Sequence, residues 1–186
     1  MIHSWIRSAA LGATALVLAA QSASTQAEVQ LGRESGGDFS VSVMSWWEIP
    51  FRTVVRQRYD FSCGSAAVAT ILTHHYDRPT GEQEPFKAMW AKGDKALIRK
   101  VGFSMFDMKD YLTDLGYTTE GFRLKVADLQ KIKRPLIVLL NLNGFKHFVV
   151  VKGISADRVL TGDSVLGLTQ YSTRDFEKMW NGIALA

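Results

Sequence analysis

The alternation of apolar and polar positions changes character along the chain, and each change marks a segment. Residues 9–20, "AALGATALVLAA", are one apolar run between Arg7 and a polar stretch that ends in Thr25-Gln26-Ala27. That order is the layout of a secretory signal peptide, with small residues suited to cleavage after Ala27. An uncleaved anchor is the alternative, although twelve apolar residues fall short of the ~20 that a bilayer crossing takes. Residues 28–38, "EVQLGRESGGD", are polar and glycine-bearing and predict a flexible lead-in. Residues 39–45, "FSVSVMS", alternate as a half-buried strand does, and after Trp46 and Trp47 residues 49–57, "IPFRTVVRQ", give a second extended segment. The two indoles could dock a peptide, but large aromatic side chains more often close a core.

From residue 63 the period becomes helical. "GSAAVATILTHHY" distributes Ala66, Ala67, Val68, Ala69, Ile71 and Leu72 over most of a helical wheel, which predicts a helix buried on nearly every side. "SMFDMKDYLTDLG" opens with Ser104 and Asp107 at capping-box spacing, places Met105, Met108, Leu112 and Leu115 at helical intervals and stops at Gly116. Its methionines fit a core rather than a ligand surface. Beyond Pro135 the segments "LIVLLNL", "HFVVVKGI" and "RVLTGD" are short and β-branched, separated by Asn143-Gly144 and Ser155-Ala156-Asp157. They predict consecutive antiparallel strands, followed by a short capped helix from Ser172 or Thr173. Helices first and strands later is the α+β pattern. The expected organisation is a signal peptide over residues 1–27, a lead-in and strand over 28–48, and one domain over 49–186.

Composition narrows the function classes. At 186 residues, 47% hydrophobic and 22% charged, the chain is an ordinary globular one with room for a single well-cored domain. The formal charge of +4 falls to +3 once Arg7 leaves with the signal. Its charges are interspersed and no basic-aromatic motif appears, so no nucleic-acid partner is expected. An exported chain with a single cysteine, Cys63, forms no internal disulfide and must either bury that thiol or use it.

Cys63 falls at the start of the first helix, where free backbone N–H groups and the helix dipole favour a thiolate. Gly64 beside it leaves room for a substrate backbone to come close. Among the histidines, His3 leaves with the signal, and His74 and His75 lie about 16 Å along the helix axis from Cys63, out of reach. His147 opens the strand "HFVVV", where it shares a face with Val149 and Val151, and is expected to look out over a cleft edge. A hairpin turning near residue 155 returns Asp163 to the level of His147, where its carboxylate would fix the imidazole tautomer. Gln57, six residues before Cys63, offers an amide N–H to an oxyanion. His74, His75 and Asp77 do not make a metal site, because adjacent histidines point to different faces of a helix and the spacing fits no ligand pattern.

"QRYDFSCGSAA", "GFSMFDMKDYLTDLGY" and "GFKHFVVVKGISADRVLTGD" together resemble the bacteriocin-processing, double-glycine cysteine peptidases of the papain-like superfamily. The resemblance covers most of residues 50–186. It implies a papain-like fold with the nucleophile helix packed on a C-terminal antiparallel sheet, Cys63 as nucleophile, His147 as general acid/base, Asp163 as its orienter and Gln57 as oxyanion donor. It requires no metal or organic cofactor. The transporter-fused members have Asp before the cysteine and commonly Pro after the catalytic Asp, where this chain has Ser62 and Ser164; these departures bear on the usual leader-peptide specificity. The chain is also similar to stand-alone exported members encoded with functional-amyloid systems. The expected activity is a periplasmic cysteine endopeptidase that cuts a secreted protein or leader peptide, after small residues such as paired glycines. Its expected partners are a peptide or protein substrate and secretion or amyloid components, with no stable membrane span after signal removal. The alternative is a peptidase-fold binding module that captures such a substrate without cutting it.

Overall fold

The computed structural model describes residues 27–31 and 39–186, so the predicted signal peptide, apart from Ala27, lies outside the described residues. The chain divides into two units, the first ending at Val43 and the second starting at Met44. In the first, β1 (Ala27–Leu31) pairs antiparallel with β2 (Phe39–Val43), with Val29 opposite Val41. The predicted strand is therefore present. Part of the stretch read as a lead-in is its partner, since the β-branched Val29 lies among residues otherwise read as polar filler.

The second unit carries α1 (Cys63–His74), α2 (Gln83–Lys92), α3 (Lys95–Val101) and α4 (Met105–Asp114). There follow β3 (Gly121–Arg123), α5 (Val126–Leu129), β4 (Leu136–Leu142), β5 (Phe145–Ile154), β6 (Arg158–Asp163), β7 (Gly167–Ser172), α6 (Thr173–Met179) and β8 (Trp180–Leu185). One sheet takes the order β3-β8-β4-β5-β6-β7, and every pairing in it is antiparallel. This is the papain-like α+β arrangement, with a helical layer packed on a C-terminal antiparallel sheet.

The sequence signals explain the elements that matter here. α1 is buried at every position from Cys63 to Leu72, as an all-round apolar wheel requires. Its core combines Ala67, Val68, Ile71 and Leu72 with Met108 and Leu112 of α4 and Phe148 and Val150 of β5. α4 has its capping box, the Asp107 N–H donating to Ser104 Oγ at 3.2 Å and the Ser104 N–H to Asp107 Oδ2 at 2.7 Å. Asn143 and Gly144, at φ +53° and +96°, make the two-residue turn between β4 and β5. α6 starts after Ser172, whose hydroxyl accepts from the Asp175 N–H.

The extended segment expected over residues 49–57 is not a strand. It begins as a 3-10 turn, Ile49–Phe51, with Pro50 inside it, and its later backbone groups find partners outside any ladder. The Val55 N–H donates to Thr70 Oγ1 of α1, the Thr53 carbonyl accepts from Lys152 Nζ of β5, and the Gln57 N–H donates to the Ser164 carbonyl. The segment is thus tied across the top of α1 and the sheet instead of extending it. Trp46 and Trp47 are each 81% exposed, so they do not close a core.

Candidate active site

Two neighbouring strands and the first residue of a helix supply the chemistry. β5 and β6 pair with Val149 opposite Asp163, and a bulge between Val151 and Gly153 sets that register. His147 and Asp163 are therefore diagonal neighbours, two residues off the level expected from the turn. An offset of two keeps both side chains on one face, whereas an offset of one would have separated them. His147 Nε2 lies 3.0 Å from Asp163 Oδ1. The same oxygen accepts from the Val165 N–H at 2.7 Å and the Leu166 N–H at 3.1 Å, so Asp163 also closes the loop between β6 and β7. That loop is held from the other side: Gly167 has φ +80°, and Pro50 lies so near that a Cβ would come within 2.5 Å of it.

Both side chains are buried, His147 at 2% and Asp163 at 1% exposure, so the imidazole does not look out from the strand mouth as expected. Burial alone would lower the pKa of His147, but the hydrogen bond and charge of Asp163, together with the nearby Cys63 sulfur, overcome it and raise the value to about 9. Burial likewise pushes Asp163 up, while His147 and the two loop N–H groups together pull its carboxyl below the ordinary range. With Nε2 committed to Asp163, Nδ1 is left buried and without a hydrogen-bond partner. It is the ring nitrogen available to sulfur. Cys63 is the first residue of α1 and buried, and it is the second group acting on the ring.

Gln57 completes the set through the same loop. Its Oε1 accepts from the Ser164 hydroxyl at 2.6 Å and its Nε2 donates to the Tyr59 carbonyl at 2.9 Å. All four expected residues thus belong to one connected arrangement. Gly64 has a different surrounding from the one expected. It is buried, and a Cβ there would meet Phe103 at 3.3 Å, Met108 at 3.4 Å and Phe148 at 3.6 Å, so its smallness serves packing in the core rather than substrate approach.

Glu82 was missed by the sequence reading. It is 4% exposed, and its Oε1 accepts from the Arg58 N–H at 3.1 Å and from the Ser62 hydroxyl, closing the loop that precedes Cys63. In sequence it is one acidic residue in "GEQEPF", indistinguishable from a solvated helix start. Ser164 was visible only as a departure from the family pattern.

A buried cysteine at a helix start and an imidazole hydrogen-bonded to a buried carboxyl are group types that cysteine peptidases use, and the chain belongs to the peptidase C39 family, whose model matches residues 52–186. Among curated proteins it is similar to the "Probable functional amyloid protease FapD" of Pseudomonas aeruginosa, 42% identical over 151 residues, covering 81% of this chain and 67% of that protein. The protein of the same name from Pseudomonas fluorescens is 43% identical over 136 residues, covering 73% of this chain and 60% of its own length. The matches thus leave about a third or more of each relative uncovered. Among solved structures, the peptidase domain of Streptococcus ComA, a bi-functional ABC transporter involved in quorum sensing, shares the fold at a TM-score of 0.62 and 22% identity, over 72% of this chain and 96% of that domain.

Proposed function

We propose that this protein is an exported cysteine endopeptidase in which Cys63 is the nucleophile, His147 the general acid/base, Asp163 its orienter and Gln57 an oxyanion donor. The observation that carries this reading is the His147 ring, held by Asp163 at one nitrogen and acted on by Cys63. The thiolate adds to the scissile carbonyl, a sulfur–carbon bond forms and the carbonyl electron pair moves to oxygen. Return of that pair breaks the peptide C–N bond, and the imidazolium delivers its proton to the leaving amine. Water, deprotonated by the neutral imidazole, then displaces sulfur and releases the acid. An imidazole with its pKa raised to about 9 begins this cycle protonated at neutral pH, as protonation of the amine requires.

The substrate is an extended segment of a secreted protein, cut after small residues such as paired glycines, within a functional-amyloid or related secretion pathway. The printed names of the Pseudomonas relatives and the ABC-transporter context of ComA support this class. Residues 1–27 act as an export signal that delivers the domain to the periplasm. Among the described residues no helix is long and apolar enough to cross a membrane.

The test is alkylation of the purified protein by iodoacetamide between pH 5 and 9, with the adduct located by mass spectrometry. Cys63 is expected to react fast at neutral pH, and His147→Ala to remove that advantage. A thiol as unreactive in the wild type as in His147→Ala would favour the binding-module reading.

A further inference from the structure

From the contacts around the β6–β7 loop we infer that Ser164 is a positioning residue for the oxyanion donor, fixing the Gln57 amide so that one N–H stays free for the reaction. The inference rests on the cysteine-peptidase reading above and goes beyond it. A primary amide has one acceptor oxygen and two N–H donors, and it can rotate or flip unless its ends are held. Here each end has its own partner. The Ser164 hydroxyl donates to Oε1 at 2.6 Å, and Nε2 donates to the Tyr59 carbonyl at 2.9 Å.

The flipped amide is excluded by the second contact, because it would set its oxygen against the carbonyl oxygen of Tyr59. One N–H is therefore spent on Tyr59 and the other has no partner among the described residues. The backbone is clamped at the same point, the Gln57 N–H donating to the Ser164 carbonyl at 3.1 Å. Ser164 is 3% exposed, so water competes poorly for its hydroxyl.

Position in the chain gives this clamp its consequence. Ser164 directly follows Asp163, which holds His147, so adjacent residues of one loop orient the imidazole and the oxyanion donor. A proline at this position would have no hydroxyl and could not make the side-chain half of the clamp. The acyl-transfer step gains from a donor already aimed at the place where charge will develop, and removing such a donor costs about 10²–10³ in rate. Loosening it while leaving it in place costs less.

Two reactions of the same cysteine separate this role from a general structural one. Hydrolysis of N-benzyloxycarbonylglycine p-nitrophenyl ester passes through a tetrahedral oxyanion: sulfur bonds to the carbonyl carbon, p-nitrophenoxide leaves, and water cleaves the thioester to the free acid. Alkylation by iodoacetamide displaces iodide at a CH₂ carbon, and no oxyanion forms. Ser164→Ala should lower kcat for the ester roughly tenfold, less than Gln57→Ala does, with KM nearly unchanged and the alkylation rate within about twofold of wild type. Ser164→Thr, which restores a hydroxyl, should recover most of the loss. In a Gln57→Ala background, Ser164→Ala should have no further effect on the ester.

An equal loss in both reactions, additive losses in the double variant, or an ester rate unaffected in Ser164→Ala would overturn the positioning role while leaving the peptidase reading intact. A wild-type protein that alkylates but releases no p-nitrophenoxide catalytically would overturn both.

Discussion

At the scale of single residues, the decisive balance is at His147, where burial and charge pull in opposite directions. A buried imidazole without partners would be neutral at pH 7, whereas the adjacent carboxyl and sulfur hold this one protonated to about pH 9. Asp163→Asn tests which contribution dominates. Asparagine keeps an oxygen for the Val165 and Leu166 N–H groups and for the ring, so the loop should stay closed, but it removes the charge. Desolvation then prevails, and the pKa of His147 should fall by about 1–3 pH units, the range an opposite charge in contact supplies. Titration of the His147 ring protons by NMR would read the change directly, and the alkaline limb of ester hydrolysis should move down with it. An unmoved ring pKa would show that Asp163 orients the imidazole without charging it.

Between elements, the weak point is the start of α1. Ser62, just before the helix, gives no side-chain cap to it, because its hydroxyl is turned to the carboxyl of Glu82 at the start of α2. One oxygen thereby joins the loop before Cys63 to the next helix, while the other, Oε2, is buried without a partner. Glu82→Ala should strand the Arg58 N–H, leave the Ser62 hydroxyl with its Tyr59 partners alone, and cost about 1–2 kcal/mol in urea denaturation; Glu82→Gln, which retains an acceptor, should cost less. Equal losses would mean that the second oxygen matters as much as the bonded one. This contact shows why the chain was only partly legible in advance. α1, α4, the β4–β5–β6 ladder and the helix after Ser172 carry local signals, namely an all-round apolar wheel, a capping box, an Asn-Gly turn and an N-cap serine, and each formed where those signals place it. β3, β7 and β8 carry none: three residues ending in Arg, a half-polar "GLTQYS" and a strand beginning directly after a helix become strands only because partners present ladders to them. Residues 49–57 have strand composition but spend their hydrogen bonds on side chains and loops. Of the candidate site, Cys63, His147, Asp163 and Gln57 can be named from residue type, order and resemblance, whereas Glu82 and the Ser164 clamp depend on contacts spanning 20 and 107 residues that no local pattern records.

For the whole molecule, the buried site makes protonation a property of folding. The helical layer contributes Cys63 and the sheet contributes His147 and Asp163, so the arrangement exists only when the two layers are packed together. A proton held more tightly in the folded than in the unfolded chain stabilises the fold. His147 rises from its ordinary 6.5 to about 9, so its contribution is complete below pH 6.5 and is lost as the pH climbs through 9. The contribution is on the order of 3 kcal/mol, a large share of what a domain of this size has to spare. Asp163 works in the other direction: its lowered carboxyl stabilises the fold above its ordinary 3.8, and that gain disappears as the pH falls through its depressed folded value. Urea midpoints for the wild type should therefore drop between pH 6.5 and 9, unlike the usual pattern in which acid is the main threat. His147→Gln should begin at a lower midpoint, because it leaves Asp163 buried beside a neutral amide, and should then hold nearly level across the same interval. If both proteins lost stability in parallel from pH 6.5 to 9, the alkaline fall would belong to other groups, and the tight hold on the imidazole proton would have to be given up.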